Sequence, residues 1–162
     1  MANLDRILQK ILNRQDLPLA LDRWNKSNSK IVFTNGCFDL VHRGHLDYLS
    51  KAADLGDILI IGLNTDSSVS KLKGSNRPII DQESRAMLLA SLFFVSAVVL
   101  FEEDTPYELI KAIQPDVLVK GADYAVEDIV GHDIVIAKGG KVETIEYLPG
   151  FSTSAIEKKI KE

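Results

Sequence analysis

Cysteine is nearly missing from this chain: Cys37 stands alone among 162 residues. A single thiol excludes an internal disulfide framework and fits a reducing compartment. Long apolar runs are missing as well. None reaches the roughly 20 residues a membrane-spanning helix needs, and the amino terminus has no signal-peptide pattern. A cytoplasmic protein with no membrane partner is expected. There is no excess of positive charge. Lys and Arg number 19 against 23 Asp and Glu, so the formal charge is −4 and general nucleic-acid binding is disfavoured. The phosphate-binding pattern G-x-x-x-x-G-K-[ST], the dinucleotide turn G-x-G-x-x-G and the nucleophile elbow G-x-S-x-G are all absent. So are repeats, linkers and low-complexity segments.

What is present reads as one globular α/β domain. The hydrophobic content of 46% supports a real core. Leu4, Ile7, Leu8, Ile11 and Leu12 fall at helical spacing, and a second amphipathic piece follows Pro18, so residues 1–29 are expected to form a helical extension. Residues 30–162 then alternate strand and helix. Apolar runs at 31–35, 57–63, 97–101 and 116–119 read as parallel strands buried on both faces, and 141–146 as a fifth. Helices are expected over 43–54, from the capping residues 64–68, from Asp81 to about Phe94, from Pro106 to Ile113 and from Ser152 to Ile160. Residues 71–78 read as a polar loop. Residues 126–138 fit strand or helix, and helix is preferred because Gly139-Gly140 is a good stop. The pattern predicts a Rossmann-like, doubly wound parallel sheet of about five strands. Ligands of such sheets bind at the carboxyl ends of the strands, which here are rich in glycine and polar residues.

One stretch concentrates chemistry. Asn35-Gly-Cys-Phe-Asp-Leu-Val-His-Arg-Gly-His45 leaves an apolar strand and enters a helix, where free N–H groups and the helix dipole favour an anion. His42 and His45 lie three apart. As half of a zinc site they lack a persuasive third ligand, since His132 is remote and Cys37 sits at the strand end. As ordinary polar residues, two histidines in this setting are strained. As hydrogen-bond donors to phosphate oxygens they fit, and Gly44 lets the backbone approach. No metal ligand set is expected.

The H-x-G-H stretch resembles the signature of the nucleotidyltransferase superfamily that includes the cytidylyltransferases. The segments Asn64-Thr-Asp66, Leu72-Lys-Gly74 with Arg77-Pro78, Phe101-Glu-Glu-Asp-Thr-Pro106, Leu118-Val-Lys-Gly-Ala-Asp-Tyr124 and Gly150-Phe-Ser-Thr-Ser-Ala-Ile156 are similar to its ADP-heptose-forming adenylyltransferase branch. In many relatives of that branch this domain follows a sugar kinase. Some thirty residues before the motif are too few for one, so a free-standing enzyme is expected.

The resemblance implies AMP transfer from ATP to a sugar 1-phosphate, with Mg²⁺ carried on the ATP and a homodimer as the assembly. A sugar phosphate is already an ionised nucleophile, so no general base is needed. By motif match, His42, His45 and Lys73 would be catalytic. Asn35, Gly36, Phe38, Asp39, Gly44, Arg85, Lys120, Gly121, Asp123, Ser152, Thr153 and Ser154 would hold the nucleotide. Asn64, Asp66, Lys71, Arg77 and Tyr124 would meet the acceptor. For Asp39, orienting His42, touching the nucleotide and closing an Asx turn stay open. Two other readings also stay open: a cytidylyltransferase using glycerol 3-phosphate or a related alcohol phosphate, and a nucleotide-binding module without catalysis.

Overall fold

The computed structural model describes residues 1–162. Its elements, in chain order, are α1 (Asn3–Leu8), β1 (Ile11–Leu12), α2 (Leu17–Lys26), β2 (Ile31–Gly36), α3 (Arg43–Ala53), β3 (Ile58–Asn64), α4 (Asp66–Lys73), α5 (Gln82–Ser91), β4 (Ala97–Phe101), α6 (Tyr107–Ile113), β5 (Val117–Gly121), α7 (His132–Ala137), β6 (Lys141–Ile145) and α8 (Thr153–Lys161). A 3-10 turn, Val126–Asp128, precedes α7. One six-stranded sheet has the order β1-β4-β3-β2-β5-β6, and every pairing is parallel.

The apolar strands are explained by two-sided burial. Side chains alternate along a strand. Val32, Leu59, Ile61, Leu63, Val98 and Val117 point to one face and pack with Leu49 and Ala52 of α3 and Leu89 of α5. Ile31, Phe33, Ile60, Val99 and Leu118 point to the other and meet Leu17 and Leu21 of α2 and Leu109 and Ile110 of α6. Each such fully buried side chain stabilises the fold by about 1.5–3 kcal/mol relative to exposure.

The strand order places β2 between β3 on one side and β5 on the other. The chain therefore winds outward in two directions from β2, and a crevice opens beyond the carboxyl ends of β2 and β5. β2 ends at Gly36 and leads through the motif loop into α3. β5 ends at Lys120-Gly121.

Three expectations need correction. Residues 11–12 continue the helical apolar pattern, yet they form a sixth strand. Val98 N–H donates to the Lys10 carbonyl at 2.8 Å, and Asn13 Oδ1 accepts from the Gln15 and Asp16 N–H groups at 2.8 Å each, turning the chain away. Sheet pairing and this Asx turn override the local periodicity. Residues 71–73 are the last turn of α4 rather than loop, so Lys73 sits on a helix end beside Gly74 at φ +99°. Finally, α5 stops at Ser91, short of Phe94. In the ambiguous segment 126–138, the helix lies at His132–Ala137, and strand is confined to β6.

Candidate active site

The motif loop folds back on itself before α3 begins. His42 is the N-cap: its Nδ1 accepts from the Gly44 N–H at 3.1 Å. His45 closes the reciprocal bond, its Nδ1 accepting from the His42 N–H at 3.3 Å. An imidazole that accepts through Nδ1 carries its proton, when neutral, on Nε2. Both rings are thereby fixed as Nε2–H donors. They stack with centroids 3.9 Å apart, and Phe38 meets His45 edge-on at 5.3 Å. Gly44 leaves little room: a Cβ there would lie 3.0 Å from the His42 ring and 3.1 Å from Phe151 Cβ, so one of them would have to shift by a few tenths of an ångström.

The electrostatics keep both rings neutral. Burial lowers the His42 pKa below the ordinary histidine value. Burial first, then His42 and Lys73, pull His45 down from 6.5 to about 4. In the unfolded chain His45 regains its ordinary affinity for protons. Between about pH 6.5 and 4 the unfolded state then binds more protons, so this group's contribution to stability is complete above pH 6.5 and is lost as the pH falls toward 4. Thermal melts at pH 7.5, 5.5 and 4.5 should show a smaller loss for His45→Gln than for the parent. Equal slopes would refute the assignment.

Two adjoining cavities flank the histidines. One, of about 140 Å³, is lined by Asn35, Gly36, Phe38, Asp39, His45, Lys73, Lys120, Gly121 and Thr153, together with Cys37, Tyr48 and Tyr147. The other, of about 330 Å³, is lined by His42, Gly44, His45, Ser152 and Thr153, with Tyr147, Leu148 and Phe151. His45, Tyr147 and Thr153 form the wall between them. A cleft of about 530 Å³ around Lys30, Lys138 and Gly140 lies at the opposite, amino end of the strands, away from the motif.

The first cavity suits an anion with polar edges. Lys120 is pushed below its ordinary pKa by burial, opposed by the nearby Asp123 carboxylate, and its ammonium lies 5.5 Å from the Tyr124 ring centre. Asn35 Oδ1 is buried with no donor. An orphaned buried acceptor costs about 1–3 kcal/mol, and a ligand hydroxyl or amino group would relieve it. Ser152 caps α8 by accepting the Ala155 N–H at 3.1 Å, and this helix start lines the second cavity together with the histidines.

Several residues expected to touch ligand do other work. Arg85 is 1% exposed and lines neither cavity. Its Nε donates to the Ile80 carbonyl at 2.9 Å and its Nη2 to Asp66 at 2.7 Å. Its Nη1 donates to the Cys37 and Asn64 carbonyls at 2.6 and 2.9 Å. Arg85 and Asp66 thus tie together the loops after β2 and β3. Asn64 donates to Ser68 Oγ at 2.9 Å.

Asp39 borders the first cavity, but its side chain is 1% exposed and fully engaged. It accepts from the Ile79 and Ile80 N–H groups at 2.9 Å and lies 2.6 Å from Arg77 Nε, close in distance though not aligned as a hydrogen bond. Burial raises the Asp39 pKa, but the two N–H donors and Arg77 outweigh it and hold the carboxyl below its usual range. Arg77 also pairs with Glu157 Oε1 at 2.6 Å. Lys71 and Ser154 are exposed. Lys71, Arg77, Asp123, Tyr124 and Ser154 line neither cavity.

The cytidylyltransferase-like family model matches residues 33–159. The chain belongs to the cytidylyltransferase-like family. Membership assigns this cytidylyltransferase-like chain to the nucleotidyltransferases. It is 53% identical to Bifunctional protein HldE of Citrifermentans bemidjiense over 151 residues, 93% of this chain and 31% of that protein. It is also 53% identical to Bifunctional protein HldE of Wolinella succinogenes over 152 residues. The chain thus spans about a third of the length of these curated relatives. Among solved structures, the lipopolysaccharide core biosynthesis protein from Thermoplasma volcanium matches with a TM-score of 0.59 and 26% identity, over 74% of this chain and 97% of that one. Pantoate-beta-alanine ligase from Francisella tularensis has the same TM-score at 15% identity, over 93% of this chain and 76% of that one, and shows the fold alone.

Proposed function

We propose that the chain transfers AMP from ATP to D-glycero-β-D-manno-heptose 1-phosphate, giving ADP-heptose and pyrophosphate for the lipopolysaccharide core. The observation that carries this reading is the pair of Nε2–H donors fixed by reciprocal Nδ1 bonds, beside Lys73, Lys120 and the start of α8. A sugar-phosphate oxygen attacks the α-phosphorus, and the bond from that phosphorus to the β-phosphate bridging oxygen breaks. Negative charge grows on the α-phosphate oxygens and on the departing pyrophosphate. In this reading neutral imidazole donors, two lysines and helix N–H groups meet it. No side chain has to take a proton.

The heptose acceptor is supported by the sequence segments that resemble the ADP-heptose-forming branch, and the likeness to a lipopolysaccharide core biosynthesis protein of Thermoplasma volcanium fits the same pathway. No three His, Cys, Asp or Glu side chains converge, and the one carboxylate at the cavity, Asp39, is spent on Arg77 and two N–H groups. That donor set fits Mg²⁺ arriving on the triphosphate, held by phosphate and water. The reading places the enzyme in the cytoplasm, where ATP is available, and a homodimer is its proposed assembly. No helix is long and apolar enough to cross a membrane.

The deciding experiment is a substrate matrix: ATP, CTP, GTP and UTP, each with heptose 1-phosphate and with glycerol 3-phosphate, reading pyrophosphate release. Turnover with ATP and heptose 1-phosphate is expected. Turnover with CTP alone would overturn the proposal in favour of a cytidylyltransferase. Nucleotide binding without turnover on any acceptor would mark a binding module.

A further inference from the structure

The carboxyl-terminal helix is held down in an unusual way. α8 contributes two elements of the site, Ser152 at its cap and Thr153 in the wall between the cavities. Yet none of its residues is buried, and Ile160 is 74% exposed. It follows a segment, residues 146–152, whose Gly150 sits at φ +84° with open space around it. Apolar packing is therefore too sparse to fix α8 with the precision a phosphate site needs.

The charged contact is different. Arg77, only 11% exposed, lies between Asp39 and Glu157, at 2.6 Å from each. Asp39 in turn holds the Ile79 and Ile80 backbone. The chain of contacts runs from the loop after β2, through the loop that follows Lys73, to the second turn of α8. Glu157 side-chain exposure is 27%, so its half of the pair is shielded rather than surface-screened.

We infer that Glu157 is a positioning residue: its ion pair with Arg77 latches α8 over the crevice, so that Ser152 and Thr153 are held in register with Lys73 and the His42/His45 pair. The latch itself is a property of the free protein. Its effect on substrate rests on the proposed nucleotidyl-transfer reading.

Glu157→Gln is the right variant, because it removes the charge and leaves Arg77 to neutralise the buried Asp39. Two measurements follow on the full chain. In ligand-free protein, amide exchange in α8 should accelerate roughly tenfold or more while exchange in β2, β3 and β5 stays unchanged. In steady-state assays the KM for MgATP should rise roughly tenfold, with kcat reduced less than about threefold. A Lys159→Ala control should change neither. Unchanged exchange in α8 would overturn the latch, as would acceleration spread across the whole sheet. Looser α8 with an unchanged KM would overturn the positioning role. A chain that turned over no triphosphate would remove the functional reading, while the exchange result would still decide the latch.

Discussion

Replacing His45 with Ala should lower kcat by about 100- to 1,000-fold, the usual loss for one preorganised donor to a developing oxyanion. Affinity for ATP should change little. His45 also has a structural duty, since its Nδ1 accepts the His42 N–H. The alanine variant should therefore lose a cap and about 1 kcal/mol of stability. Two further variants separate the duties. His45→Asn places an acceptor near the Nδ1 position and offers no donor at Nε2. His45→Gln places its amide near Nε2. If the Nε2–H is what matters, Asn should restore stability but not turnover, and Gln should recover part of the turnover. Rapid-quench kinetics alongside thermal melts will show this. Asn variants as active as the parent would sink the role assigned to His45.

The second large effect is on folding. Arg85→Ala should destabilise the protein by roughly 3–5 kcal/mol, because it strands the buried Asn64 carbonyl and the part-buried carbonyls of Cys37 and Ile80, which now share one guanidinium. For a chain of this length that corresponds to a fall in Tm of about 10 °C. Arg85→Lys should rescue little, since one ammonium cannot span three carbonyls and a carboxylate in a planar fork. Differential scanning calorimetry gives the answer. A nucleotide-facing arginine would do the reverse: Tm near that of the parent, with a raised KM for ATP. Arg85 would then act on the ligand after all.

The fold was largely legible in the residues. Strands buried on both faces are apolar at every position, as in Ile58–Leu63, and caps such as Ser152 and Asp81 mark helix starts by chemistry that acts within four residues. Residues 11–12 were not legible, because the deciding contact, Lys10 with Val98, joins positions 88 apart in a chain whose local pattern is helical. Much of the site could be read for the same local reason: the H-x-G-H loop makes its own hydrogen bonds. The duty of Arg85 was hidden. A basic residue near a phosphate crevice looks the same in sequence whether it faces ligand or carbonyl oxygens. Tyr147 and Glu157 carried no local signal at all. Their importance comes from Gly121, against which the Tyr147 ring lies, and from Arg77, both distant in sequence.

The two margins of the sheet are guarded by different means. β6 presents exposed Lys141 and Glu143 along its free side, charges that discourage another strand from joining. β4 has Val98 and Val99 where its margin would otherwise be bare, and only the two residues of β1 cover them. The short amino-terminal strand thus closes the β4 edge against the addition of another strand. It withholds from any other strand an apolar ladder of unpaired backbone groups, a protective duty carried by a segment remote from the candidate site.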